Sequence, residues 1–144
     1  MLATSNEKDL RPTLSLLWLF AILNMVFRDI HEFTMASTLN EILSENINGN
    51  PMSETVLLFG AFAVELLLLG FLLTALLPPR ASRTLNLVLV PVAVAGMLYI
   101  PPADPDDIFF AVVQLCAFAA AFALTWRWQP VQHSNSYVRA SHAG

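Results

Sequence analysis

A chain of 144 residues with 56% hydrophobic and 12% charged side chains, and a mean hydropathy of +0.62, lies well away from soluble domains, in which about a quarter of residues are charged. Seven Lys and Arg within a net charge of −4 leave no phosphate-tracking surface, so nucleic acid is excluded as a partner. One cysteine allows neither an internal disulfide nor a cysteine-based zinc site. What remains is a single all-α domain embedded in a membrane.

Residues 1–12 form an N-terminal tail. A bilayer-crossing helix needs about 20 mostly apolar residues, because hydrocarbon about 30 Å thick is crossed at about 1.5 Å per residue. The first such stretch, residues 13–33, opens on LSLLWLFAILNMVF and ends on the polar RDIHEF. Arg28, Asp29 and Glu32 stand where a signal peptide would carry small neutral cleavage-site residues, so the stretch reads as a retained span. In the next loop, 34–53, Leu39, Ile42, Leu43 and Ile47 recur at helical spacing opposite Asn40, Glu41, Ser44 and Glu45. That predicts a short amphipathic helix on the membrane surface, ended by the Asn48-Gly49-Asn50-Pro51 turn. It would cover the mouth of the bundle or act as a lid over a site.

Span two, residues 54–77, carries Glu65 near its middle. Span three, 84–100, carries Pro91, which predicts a kink. Span four, 107–128, is the alanine-rich IFFAVVQLCAFAAAFALTW, in which Cys116 reads as a packing residue. Residues 129–144 form a C-terminal tail, small and polar and expected to be flexible after Pro130. Lys8 and Arg11 precede span one, Arg80 and Arg83 separate spans two and three, and Arg127 and Arg139 follow span four. The other two loops hold no Lys or Arg, so the positive-inside rule places both termini in the cytoplasm. Tyr99, Trp126 and Trp128 are expected as interfacial anchors, and Trp18 either as a fourth or as a residue too deep for that role.

The informative residues are polar ones inside the spans, which usually face a bundle interior and a partner. On span one, Asn24, Arg28, His31 and Glu32 fall within an arc of about 100°, with Asp29 beyond its Glu32 edge. Asn24 is expected level with Glu65, and Arg28 about 6 Å nearer the outside, within reach of a pairing with Glu65. On span four, Gln114 shares a face with Ala117 and Ala121, a small-residue strip expected to pack inward and bring Gln114 to the same cluster. Three carboxyls and one guanidinium in a low dielectric are not expected all to be ionised. Such a pocket would hold a polar or lipid-like ligand or relay a proton; a buried ion pair that fixes helix register is the plainer alternative. His31 with Glu32 lacks the spacing of a metal pair, so no metal site is expected; the sequence leaves any cofactor unknown.

The runs LSLLW at 14–18, RDIHEF at 28–33, RTLNL at 83–87 and LTWRWQP at 124–130 resemble domain-of-unknown-function family 6326, short bacterial membrane proteins with four spans. The resemblance covers residues 14–130 and implies a bacterial inner-membrane location and shared residue types at Trp18, Asp29, Glu32, Arg83, Asn86 and Trp128. It implies no activity.

The expected fold is therefore an antiparallel bundle of four transmembrane helices with a short amphipathic loop helix, able to self-associate through the alanine-rich fourth span. The leading functional reading is an accessory or ligand-binding bundle with a polar intramembrane pocket built from Asn24, Arg28, Asp29, Glu32, Glu65 and Gln114. A proton- or cation-coupled transporter using Glu65 is the second. A membrane enzyme of lipid or quinone chemistry is the weakest, because no nucleophile–base pair or phosphate loop is visible and no catalytic residue can be named.

Overall fold

A computed structural model describes residues 9–47, 50–99 and 104–130. Among them are five helices, α1 (Arg11–Glu32), α2 (Ala36–Leu43), α3 (Glu54–Leu76), α4 (Pro79–Tyr99) and α5 (Pro105–Arg127). Two-residue strands β1 (Asn46–Ile47) and β2 (Asn50–Pro51) pair antiparallel between α2 and α3. Lys8, Asn48, Gly49, Ile100 and the tail beyond Pro130, with His133, Arg139 and His142, lie outside the described residues.

Helices α1, α3, α4 and α5 are each long and apolar enough to cross a membrane. Their starts have local causes. Proline opens α1 and α5, where its fixed φ and missing N–H suit the first turn. Ser53 caps α3 by accepting a hydrogen bond from the Val56 N–H. Helix α4 begins at Pro79, ahead of the expected span, so Arg80 and Arg83 ride on its first turns. Hydropathy marks only the lipid-facing part of a helix, and polar residues at its end still propagate the hydrogen bonding. Helix α4 also continues through Pro91.

The connection after α1 differs from expectation. Helix α2 stops at Leu43, and Glu45, at φ 55°, takes a left-handed conformation that no helix can continue. Ile47 therefore lies on β1. No residue of α2 is buried, and Leu43 is 81% exposed. It is neither a lid nor a cover for the bundle; its apolar edge is free to face a membrane surface.

The four long helices close a ring, α1 on α3, α3 on α4, α4 on α5 and α5 back on α1. Every neighbour in that ring is antiparallel, so the described ends of the chain meet at one end of the bundle. That end is closed. Trp18 is 1% exposed, meets Phe118 edge to face at a ring separation of 5.5 Å, and donates from Nε1 to Asn86 Oδ1 at 2.7 Å. Asn86 in turn donates to Thr74 Oγ1 at 2.9 Å and to the Ser82 carbonyl at 2.8 Å, while Ser82 Oγ donates to the Thr74 carbonyl at 3.0 Å. Trp18 reaches this position because Gly70 faces it: a Cβ there would lie 3.1 Å from the indole ring. Trp18 and Trp128 are thus core residues and not interfacial anchors, whereas Tyr99 and Trp126 are largely exposed. The indole N–H finds its partner inside the bundle, which removes the reason to sit at the water boundary.

The opposite end is open. Every residue of α3 from Glu54 to Glu65 is exposed, and the buried residues of that helix begin only at Leu67. Helices α1 and α5 remain together at this end, and that pairing positions the candidate site.

Candidate functional site

At the open end α1 and α5 form an antiparallel polar seam of three contacts. Deepest, Asn24 Nδ2 donates to the Phe110 carbonyl at 2.9 Å. That carbonyl also accepts the helical bond from the N–H four residues on, so Asn24 bonds into the α5 backbone without breaking it. One turn further out, Arg28 Nε lies 2.9 Å from Glu32 Oε1 on its own helix and 3.1 Å from Asp107 Oδ1 on α5. At the rim, His31 Nε2 lies 3.3 Å from Asp106 Oδ2. Asp29 is exposed beside this seam.

Local structure explains why the seam has these members. Pro105 starts α5 early, so Asp106 and Asp107 are first-turn residues of a helix, where the positive end of the helix dipole favours them. Arg28 and Glu32 stand one turn apart on α1, and a guanidinium can hold both that carboxylate and the one on α5. The Arg28–Asp107 and His31–Asp106 pairs fix the register of α1 on α5.

The residues expected to form one pocket are divided. Asn24, Arg28 and Glu32 are in the seam. Glu65 is exposed on α3 and has no hydrogen-bond or ion-pair partner among the described residues. The Arg28–Glu65 pairing is therefore absent: the Arg28 Nε–H is shared instead between Glu32 and Asp107. Gln114 is buried, 5% exposed, but hydrogen-bonds to none of Asn24, Arg28 or Glu65. Its strip-mates Ala117 and Ala121 are buried with it inside the bundle. Small residues remain on the outward face of α5 at Cys116, Ala119, Ala120 and Ala123. One further side chain is conspicuous: Ser15 Oγ is buried and lacks a hydrogen-bond partner among the described residues.

A cavity of about 590 Å³ does lie beside the seam, on the flank of α1 and α5. Phe20, Leu23, Phe27, Ile30 and Phe110 make its walls apolar, with Asn24 midway and His31 and Thr34 at the rim. The His31 and Phe110 rings are 6.2 Å apart. From Phe20 to His31 the groove follows α1 for about 16 Å, close to half of a bilayer's hydrocarbon thickness. Of the expected pocket residues it contains Asn24 alone. Asp106 and Asp107 are site residues that the sequence reading does not name. The signal available was Pro105 followed by two acidic residues, a helix-start pattern.

Charge at the rim is unbalanced. Asp29, Glu32, Asp106 and Asp107 gather around one guanidinium and one imidazole, which makes this end of the groove attractive to cations and hydrogen-bond donors.

Residues 4–132 match the model of a family described as a family of unknown function, DUF6326. No curated protein and no solved structure matches the chain.

Proposed function

Since the chain belongs to the family of unknown function DUF6326 and carries four helices long and apolar enough to cross a membrane, we propose a function from the geometry: an accessory membrane protein that holds one amphiphile in the groove between α1 and α5. The observation that carries this reading is the coincidence of an apolar trough about one leaflet deep with a polar rim at its open end. A hydrocarbon tail would lie along Phe20, Leu23 and Phe27, and the head group would meet His31, Thr34 and Asp106. The acidic rim favours a neutral or amine-bearing head over an anionic one. Binding sites for small molecules share this pattern of apolar walls with a few polar groups that fix orientation.

Orientation follows from charge. Arg11, Arg80, Arg83 and Arg127 all belong to the closed end, which supports placing that end and both termini in the cytoplasm of a bacterial inner membrane. The groove would then open in the outer leaflet. The alternative of transport through Glu65 gains no support, because no described polar chain links Glu65 to the seam.

The test is lipid retention by the full-length chain after gentle extraction, read by native mass spectrometry. The natural protein is expected to keep one amphiphile, and to exchange it for phosphatidylethanolamine in preference to phosphatidylglycerol when mixed with vesicles of each. Leu23→Trp, which fills the groove, should abolish retention, and Asp106→Asn should weaken the preference for the amine. Equal retention by the natural protein and Leu23→Trp would end this reading.

A further inference from the structure

Lipid can cover the apolar side chains of α3, and it cannot satisfy one carboxyl. On the face of α3 turned away from Gly70 and Thr74, Leu58, Ala61, Glu65, Leu68 and Leu72 recur at the three-and-four spacing of a helix–helix seam, and all five are exposed. Glu65 stands at the centre of that seam with no partner among the described residues. An ionisable group in hydrocarbon is expensive and ordinarily faces another polar group. Within this chain the expected partner, Arg28, turns its Nε–H to Glu32 and Asp107 instead.

We propose that this face of α3 is the interface of a homodimer in which Glu65 hydrogen-bonds to Glu65 of the partner subunit. Two copies inserted the same way in one membrane are related by a twofold axis along its normal, so each residue on the seam meets its own counterpart at the same depth. A carboxyl is self-complementary at such a meeting: one proton between the two groups makes a donor of one and leaves the other an acceptor. Neither an acyl chain nor a purely apolar helix offers Glu65 that bond. Ala61, one turn away, keeps the seam narrow enough for the two backbones to approach. A single polar residue in an otherwise apolar seam is also a device that fixes register and the number of strands. On the alanine-rich α5, Ala117 and Ala121 are buried within the bundle, so only Cys116, Ala119, Ala120 and Ala123 stay outward for self-association there.

The experiment uses the full chain carrying Cys116→Ala, reconstituted in vesicles of phosphatidylcholine and phosphatidylglycerol. Single cysteines are placed at Ala61 and Leu68 on the seam, at Ala63 on the opposite face of α3, and at Ala120 on α5. Mild oxidation is expected to join copies at Ala61→Cys and Leu68→Cys and to spare the other two. Energy transfer between labelled copies, followed as lipid dilutes them, is expected to show association weakened about three- to twentyfold by Glu65→Leu, the range of one interhelical hydrogen bond in a bilayer. Glu65→Gln, whose amide can pair with itself, should retain association. Cross-linking at Ala120→Cys or Ala63→Cys as strong as at the seam overturns the proposal. So does association unchanged in Glu65→Leu, or capture at Ala61→Cys of a different protein's cationic helix in place of a second copy.

Discussion

The two ends of the bundle use the same four helices and differ in what the inward stripes carry. At the closed end the α1 stripe presents Leu14, Trp18 and Ala21, and α3 answers with Thr74, Gly70 and Leu67. A large ring stands against a residue with no side chain, so the surfaces interdigitate. Continued by helical spacing toward the open end, the α1 stripe becomes Met25, Arg28 and Glu32, and the α3 stripe becomes Ala63, Gly60 and Val56. Charges stand opposite small residues there, and a Cβ built at Gly60 meets nothing within 4 Å. Yet the open half of α3, VLLFGAFAV, is strongly apolar. Apolar character alone does not hold helices together in a solvent that is itself apolar; shape complementarity and hydrogen bonds do. Trp18, Gly70 and Asn86 supply both at one end, and nothing on α3 supplies either at the other.

The most direct way to break the comparison is to remove its largest piece. Trp18→Ala deletes a fully buried ring and leaves Asn86 without a donor, so a loss of about 3–5 kcal/mol is expected in unfolding of the full chain in micelles. A loss no larger than that of an average surface substitution would show that the closed end is not the stabilising one. Next, one substitution at two positions of α3 should change sign. Gly70→Ala places a methyl 2.9 Å from Leu89 Cδ2 and 3.1 Å from the Trp18 ring, a crowding expected to cost about 1–3 kcal/mol. Gly60→Ala enters open space and should stabilise by about 0.5–1 kcal/mol, because alanine loses less backbone freedom in a helix. Melting temperatures that fall for both variants would mean that the open end of α3 is packed.

How far the chain declares this arrangement varies with the feature. Four long apolar segments are legible because hydropathy reports the lipid-facing surface directly. Trp18 and Asn86 were distinguishable through the family resemblance, and the structure shows them bonded to each other. Thr74 and Ser82, which complete that network, were not: a hydroxyl in an apolar helix bonds its own backbone as readily as a neighbour, so its presence says nothing about partners. The inward placement expected of Glu65 failed for a definable reason. Helix α3 is apolar on every side, so its hydropathy does not mark which face α1 and α4 cover within the chain. Arg28 lost its expected partner to Asp107 because helix α5 starts two residues before that aspartate.

Smaller effects sharpen the same contrast. Arg28→Ala breaks the Glu32 and Asp107 pairs, yet the Arg28 side chain is 32% exposed, and pairs open to solvent contribute at most about 1 kcal/mol. Unfolding in micelles should therefore change far less than for Trp18→Ala. A comparable loss would show that the polar seam, and not the indole network, holds α1 to the bundle.

The smallest expected effect lies at the margin of the closed end. Asp9 Oδ2 lies 2.6 Å from Arg11 Nη2, and Arg11 Nη1 donates to the Leu77 carbonyl at 3.1 Å, which ties the start of α1 to the end of α3. The Arg11 hydrogen bond holds the Asp9 carboxyl below its ordinary range. Because the folded value is the lower one, the contribution is fully present above the ordinary carboxylate range and is lost as pH falls through the folded value. The melting temperatures of the natural chain and Asp9→Asn should therefore differ slightly at neutral pH and converge in acid. With Asp9 nearly half exposed, that difference should be the smallest of the series. A gap that persists in acid would mean that Asp9 acts through something other than its charge, and the link from α1 to Leu77 would then not depend on the Asp9 ion pair.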